Sequence, residues 1–320
     1  MHFFITGAAG FIGSNLSLAL LQLGHQVTGI DNLNDFYDVN LKKKNLTDLQ
    51  KKFIDFYKVD LCEKSELEQL PVHNIDFVIH LAAQPGLDPH TSFNSYLQNN
   101  TIATHNLLEY CENFHAKHLK LFINISTSSV YGLTAQGDEQ QVPQPVSYYG
   151  VTKLAAEQLA LSYFRNEILP VCSLRLFSVY GPRERNDKMF PKLIAAALLQ
   201  TSFHLYSGSL EHIRSFTYVE DIVEGIKKLI ENYENCYGEI INLGSNETYT
   251  VKECIRLVEN LTHSSIHLKQ LPARNGDQKS TKAQIEKAGR LIGFKPTTTL
   301  QSGVKQQIQF FKEIFRFANF

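Results

Sequence analysis

Apolar positions in the first half of the chain follow two rhythms. Short runs dense in Ile, Val and Phe ("HFFIT", "QVTGI", "FIDFYKVD", "DFVIHLA", "KLFINIS", "PVCSLRLF") predict strands. Between them, "SNLSLALLQLG", "EKSELEQL", "SYLQNNTIATHNLLEYCENFHA" and "SYYGVTKLAAEQLALSYFR" repeat their apolar residues at helical spacing. Strands alternating with helices imply βαβ units with right-handed crossovers, and hence a parallel sheet. After "VYGPRERNDKMFPKLI" the elements shorten and mix, so Gly181-Pro182 marks the start of a second region. "RSFTYVEDIVEGIKKLI" again reads as strand then helix, and residues 212–242 are expected to return to the first sheet. The expected fold is α/β: a doubly wound parallel sheet over residues 1–180 and a smaller mixed α/β region over 181–320, interleaved. The tail, "VKQQIQFFKEIFRFANF", predicts an amphipathic helix docked on the smaller region, because its polar face carries too few cations for a membrane anchor.

Composition narrows the function classes. The 320 residues, 43% hydrophobic and 20% charged, suffice for a well-buried core, and the net charge of -1 offers no basic surface for nucleic acid. "KKK" at Lys42 to Lys44 reads as a solvated face. Five cysteines without CxxC spacing predict a reducing compartment and no disulfide framework. No apolar run approaches the roughly 20 residues of a membrane span, and the first strand begins at once, so a cytoplasmic protein without membrane contact is expected. Cys111, His115 and His118 have the i, i+4, i+7 spacing of a metal site. Cys111 shares an apolar stripe with Leu107, Leu108 and Phe114, however, and a structural role is expected, with no metal.

Two local patterns carry chemistry. "TGAAGFIGSNL" sets Gly7, Gly10 and Gly13 between the first strand and the first helix, where glycines permit a tight turn and close approach to a pyrophosphate. The helix N-terminus adds N–H groups and a positive dipole end. The second strand ends in Asp31, whose carboxylate would accept ribose hydroxyls and repel a 2′-phosphate, favouring NAD over NADP. Asp60 either reaches the adenine or caps its strand. In "SYYGVTK", Tyr149 and Lys153 share one helical face. "NISTSSVYG" follows the fifth strand, so Ser126 to Ser129 either point toward the ligand crevice or satisfy their own turn.

Taken in order, "TGAAGFIGSNL", "GIDNLNDFYDVNL", "VIHLAAQPG", "NNTIATHNLLE", "STSSVYG", "YYGVTK", "SVYGP" and "RSFTYVEDIVEGI" resemble the extended short-chain dehydrogenase/reductases, in particular the nucleotide-sugar epimerases and dehydratases. "GIDNLNDFYDVNL" is most similar to the UDP-glucuronate 4-epimerase branch. The resemblance implies a Rossmann sheet, bound NAD, a UDP-sugar substrate and a homodimer built on the helices of "SYLQNN" and "SYYGVTK". It implies Tyr149 as the catalytic base, Lys153 holding the nicotinamide ribose, and Thr127 hydrogen-bonded to the reacting oxygen, with Tyr148 only a neighbour. A phenol of pKa ~10 needs cations beside it to act as a base, and both the Lys153 ammonium and the oxidised nicotinamide would lower it. Further cofactor contacts are implied at Phe11, Ile12, Asn32, Asp60, Leu61, Leu81, Ala82, Ala83 and Asn100.

The same resemblance separates reactions. The 4,6-dehydratases carry Asp-Glu after the catalytic Thr, where this chain has Ser128 and Ser129; the decarboxylases resemble "STSEVYG", with glutamate at the position of Ser129. The epimerase pattern is met as it stands, with a 4-reductase and a chemistry-free NAD sensor as rivals. A 4-keto glucuronate is a β-keto acid, so an epimerase must hold its carboxylate; Ser128, Ser129, Ser178 and Arg185 are suitable donors. Arg185 could equally be a surface charge in its loop. Arg214 matches a pyrophosphate-binding arginine, and Arg274 and Asp277 match contacts to the nucleotide phosphate and ribose. Two stretches depart from the branch: "PGLDPH", with Asp88 where arginine is common, and "TKAQ" (Thr281 to Gln284) for "TYAD".

Overall fold

The computed structural model describes residues 1–86, 91–273 and 277–317. Its main sheet comprises β1 (His2–Thr6), β2 (Gln26–Asp31), β3 (Asp55–Lys58), β4 (Phe77–His80), β5 (Leu121–Thr127), β6 (Val171–Leu176) and β7 (Ile240–Leu243). All pairings are parallel, in the order β7-β6-β5-β4-β1-β2-β3. The strand order reverses between β1 and β4, which opens a crevice beyond their carboxyl ends. The helices are α1 (Phe11–Gln22), α2 (Val39–Gln50), α3 (Lys64–Glu68), α4 (Phe93–Tyr96, π-helical Leu97–Ile102 and Ala103–His115 in succession), α5 (Tyr148–Arg165), α6 (Met189–Leu199), α7 (Val219–Glu231), α8 (Val251–Thr262), α9 (Glu286–Ile292) and α10 (Leu300–Phe317).

Both faces of the sheet are covered, which explains strands that are apolar throughout rather than alternating. Phe3 and Ile5 pack beneath Leu16 of α1, Ile226 of α7 and Ile292 of α9. Phe4, next in sequence and so facing the other way, packs with Val78, Leu107 of α4 and Leu161 of α5. A third core joins α6, α8 and α10 through Leu193, Ile255 and Val304. The chain does return to the main sheet, but not through the strand of "RSFTYV". Ile213–Arg214 joins a separate four-stranded sheet and Thr217–Tyr218 pairs with Val179–Tyr180; α7 and β7 make the return.

Candidate active site

The crevice is a single cleft of about 1600 Å³. Of the site residues expected from sequence and described here, all but Asn100 line it. Arg274 and Asp88 lie outside the described residues.

At its floor the turn after β1 depends on two glycines. Gly7 has φ +69°, and a Cβ there would lie 2.9 Å from the Ala82 nitrogen; a Cβ on Gly13 would lie 2.2 Å from the Gly7 carbonyl oxygen. Neither space admits a side chain, so α1 can sit on the turn only with glycine at both. Gly10 caps α1 without a side-chain bond, leaving the helix's first N–H groups to face an anion. This suits the pyrophosphate of a dinucleotide.

Asp31 is buried, and its Oδ1 accepts from the Leu33 N–H at 2.8 Å and lies 3.6 Å from Lys42 Nζ. The Asn32 amide donates to Asp60 Oδ2 at 3.1 Å, tying the ends of β2 and β3. Lys42 corrects the reading of the lysine run as a solvated face: it is 5% exposed, donates to Asn34 Oδ1 at 2.9 Å and lies over the Tyr37 ring. Burial lowers its pKa, opposed by Asp31. Only Lys43 of the three is exposed. The signal was available: Lys42, Asn45 and Leu49 lie at i, i+3 and i+7, on the buried face of α2.

Asn100 departs from the expectation of direct cofactor contact. Its amide accepts from the Gln84 N–H (2.7 Å) and donates to the Gln84 carbonyl (3.2 Å) and Thr152 Oγ1 (3.0 Å). The π-helical turn rotates it inward, where it fixes the wall after β4 to the catalytic helix; its neighbour Asn99 lines the cleft instead. His80 backs this wall, bridging Thr6 Oγ1 (2.8 Å) and Thr104 Oγ1 (2.9 Å). Because the Thr104 hydroxyl donates to the Asn100 carbonyl at 2.6 Å, His80 must be its Nε2–H donor. Complete burial lowers the pKa of His80 to about 3.

The Ser147 hydroxyl caps α5 by accepting the Gly150 N–H at 3.1 Å, placing Tyr149 in the first turn and Lys153 one turn along the same face. The Tyr149 phenol shares the cleft with Thr127, at the end of β5. Its pKa is raised by burial, and the groups pulling it down are Thr127 and Arg185. Lys153, expected to be the acidifying cation, is not among them. Burial lowers the lysine's own pKa to about 8, with Glu157 alone raising it. Glu157 is itself held by Arg175 through bonds of 2.9 and 2.6 Å; both residues are buried, and the guanidinium covers the Tyr131 ring.

Arg185 borders the cleft on Phe36 and Tyr37, its guanidinium held by both oxygens of Asp187 at 2.8 and 2.6 Å. It is 6% exposed, which removes the reading as a surface charge. Arg214 donates to Asp277 at 3.1 Å, and both line the cleft. Among the described residues no group of His, Cys, Asp or Glu could hold a metal, all five cysteines are free, and no helix is long and apolar enough to cross a membrane.

A glycine turn under a helix N-terminus, an acidic residue ending β2 and a Tyr–Lys pair beside a hydroxyl donor define a dinucleotide-dependent enzyme that acts on an alcohol carbon. Residues 4–307 match the family described as GDP-mannose 4,6 dehydratase. The chain belongs to this family of extended short-chain dehydrogenase/reductases. Its structure is similar to that of UDP-glucuronic acid 4-epimerase from Bacillus cereus in complex with UDP-glucuronic acid and NAD, with a TM-score of 0.90 and 36% identity over 98% of this chain and 100% of that one. UDP-glucuronate 4-epimerase 3 of Arabidopsis thaliana is 33% identical over 94% of this chain and 74% of its own length. A Bacillus subtilis (strain 168) protein named uncharacterized UDP-glucose epimerase YtcB is 36% identical over 99% of both chains.

Proposed function

We propose that the protein is an NAD-dependent 4-epimerase of UDP-sugars that interconverts UDP-glucuronate and UDP-galacturonate. The observation that carries this is the convergence of Thr127, Tyr149 and Lys153 in one cleft, followed by Ser128 and Ser129 where a dehydratase or decarboxylase would need carboxylates. Gly7, Gly10 and Gly13 with α1 would hold the pyrophosphate of NAD, Asp31 its ribose, and Lys153 the nicotinamide ribose. Bound NAD supplies a hydride acceptor, and its reduced form a donor, at the sugar's C4. Thr127 orients O4 while Tyr149 removes its proton; the 4-keto sugar then turns so that C4 offers its other face to the returning hydride, and Tyr149 gives the proton back to O4. Ser128, Ser129, Ser178 and Arg185 hold the uronate carboxylate so that its bond to C5 stays out of line with the carbonyl π system, which suppresses loss of carbon dioxide. Arg214, Arg274 and Asp277 hold the nucleotide. In this reading residues 1–180 with the returning α7–β7 segment carry the cofactor, and the remainder carries the UDP-sugar.

A neutral hexose is the second reading. Asp187 already occupies the Nε–Nη2 edge of Arg185, so a sugar carboxylate must compete for that edge or approach through Nη1. Incubation with UDP-glucuronate, UDP-glucose and UDP-N-acetylglucosamine, with product mass and sugar NMR, tests both readings. Unchanged mass with inverted C4 is expected; loss of water or carbon dioxide would refute an epimerase. Tyr149→Phe should lower kcat by about 10²–10⁴-fold without loss of NAD binding. An apolar patch shared by α4 and α5, where Phe93 and Tyr148 stack edge-on and Val151 lies open beside them, supports a homodimer; a monomeric mass by light scattering at micromolar protein would refute it. The free cysteines fit a reducing, cytoplasmic setting.

A further inference from the structure

Among the described residues, Gln278 is a cleft residue whose bonds run to the backbone of the catalytic loop from the segment expected to hold the nucleotide. Its Nε2 donates to the carbonyls of Gly132 (2.8 Å) and Ser128 (3.2 Å). These carbonyls belong to the first residue and the C-terminal cap of the turn Ser128–Tyr131 that follows Thr127. A primary amide has two N–H groups on one nitrogen, and here each spans to one end of the turn. No alkyl or carboxylate side chain can do this. The next residue back, Asp277, pairs with Arg214 at 3.1 Å. The residue after, Lys279, donates its N–H to Leu133 and accepts from Ile213, and Ser280–Thr281 pairs with Thr134–Ala135. The segment from 277 to 281 is thus stitched on one side to the Arg214 strand and on the other to the loop that carries Ser128 and Ser129.

We propose that Gln278 is a positioning residue that couples nucleotide binding to the catalytic loop, so that the uridine diphosphate moiety sets Ser128 and Ser129 for the sugar. The proposal rests on the UDP-sugar reading of this cleft and deepens it. Binding energy from a part of the substrate that does not react is then spent on orientation at the part that does. Removing the amide should leave the nucleotide contacts intact and loosen the loop, so the loss falls on kcat rather than on UDP affinity. For a uronate, a loosened loop should also let more of the 4-keto sugar lose carbon dioxide.

The test compares wild-type protein with Gln278→Ala and Gln278→Glu, the latter putting an acceptor against two carbonyls. UDP affinity is measured by calorimetry, turnover and product mass with UDP-glucuronate and UDP-glucose, and amide hydrogen exchange over residues 126–135 with and without UDP. Expected are UDP affinity within about twofold of wild type, kcat down about tenfold for Ala and further for Glu, and UDP-induced slowing of exchange in that loop present in wild type and lost in both variants. Retained slowing in the variants, unchanged kcat, or a loss of UDP affinity that accounts for the whole defect would each overturn the proposal. Should Gln278→Ala fail to fold, Gln278→Glu is read alone. Exchange slowed by UDP in a wild-type protein that epimerises neither sugar would sink the reaction while leaving the bridge standing; a wild-type protein that does not bind UDP would sink both.

Discussion

Glu157→Gln separates two functions of the buried pair behind the catalytic helix. Glu157 and Arg175 are 0% and 1% exposed and joined by two bonds of 2.6 and 2.9 Å. A glutamine can satisfy at most one of those donors and leaves the guanidinium charge buried without a counterion. Breaking such a pair by removing one partner costs about 3–5 kcal/mol. The second effect is on Lys153, whose pKa burial has lowered to about 8 and which Glu157 alone pulls upward. Without the carboxylate Lys153 is neutral at lower pH, and the charged donor to the cofactor ribose is lost there. Urea unfolding at pH 7 should show the stability loss, and the alkaline limb of kcat/KM against pH, near 8 in wild type, should move to lower pH. The double variant Glu157→Gln/Arg175→Met removes the orphaned charge and should regain most of the stability, but the limb should stay displaced. A single variant that loses under about 1 kcal/mol, or keeps its limb, would refute this account.

Three further outcomes follow from charges inside the cleft and the sheet. Asp31→Asn removes the charge that repels a 2′-phosphate and leaves Lys42 beside it, so the preference for NAD over NADP in a binding titration should fall by at least about tenfold; an unchanged ratio would show that Asp31 does not face the ribose. Asp187→Asn weakens the carboxylate's hold on Arg185 and should raise kcat/KM for UDP-glucuronate relative to UDP-glucose several-fold; no change in the ratio would remove Arg185 from carboxylate recognition. His80 and His115 have folded pKa values near 3 and 4, lowered by burial, against ~6.5 unfolded. The unfolded chain therefore takes up protons first below pH 6.5, and stability should fall as pH drops from there toward 4. Neither ring nitrogen of His115 has a hydrogen-bond partner, so His115→Phe should flatten that slope in urea titrations with little loss at pH 7.

What the sequence disclosed and what it hid differ by the range of the forces involved. The glycine turn was legible because much of its requirement is local: Gly7 needs its positive φ and Gly13 sits against the Gly7 backbone six residues away. Tyr149 and Lys153 were legible for the same reason, being one helical turn apart. Helix α2 was not read as a helix, since its buried face carries Lys42 and Asn45 rather than aliphatics; both face polar partners that only folding supplies, Asn34 and the Ala9 carbonyl. Asn100, expected at the cofactor from the resemblance alone, instead lies in a π-helical turn and bonds Gln84 and Thr152, partners remote in sequence. The state of Tyr149 likewise depends on partners beyond its own helix. Adjacency along the helix predicted that Lys153 would acidify it, but burial acts on both groups, raising the phenol and weakening the lysine's hold on its proton. The compensating groups, Thr127 and Arg185, arrive from β5 and from a loop remote in sequence. A catalytic pair can therefore be found by spacing alone, whereas its chemical state is set by neighbours that only the closed cleft brings together. For this reason the tests that discriminate here perturb Glu157, Asp187 and Gln278 rather than the motif residues themselves.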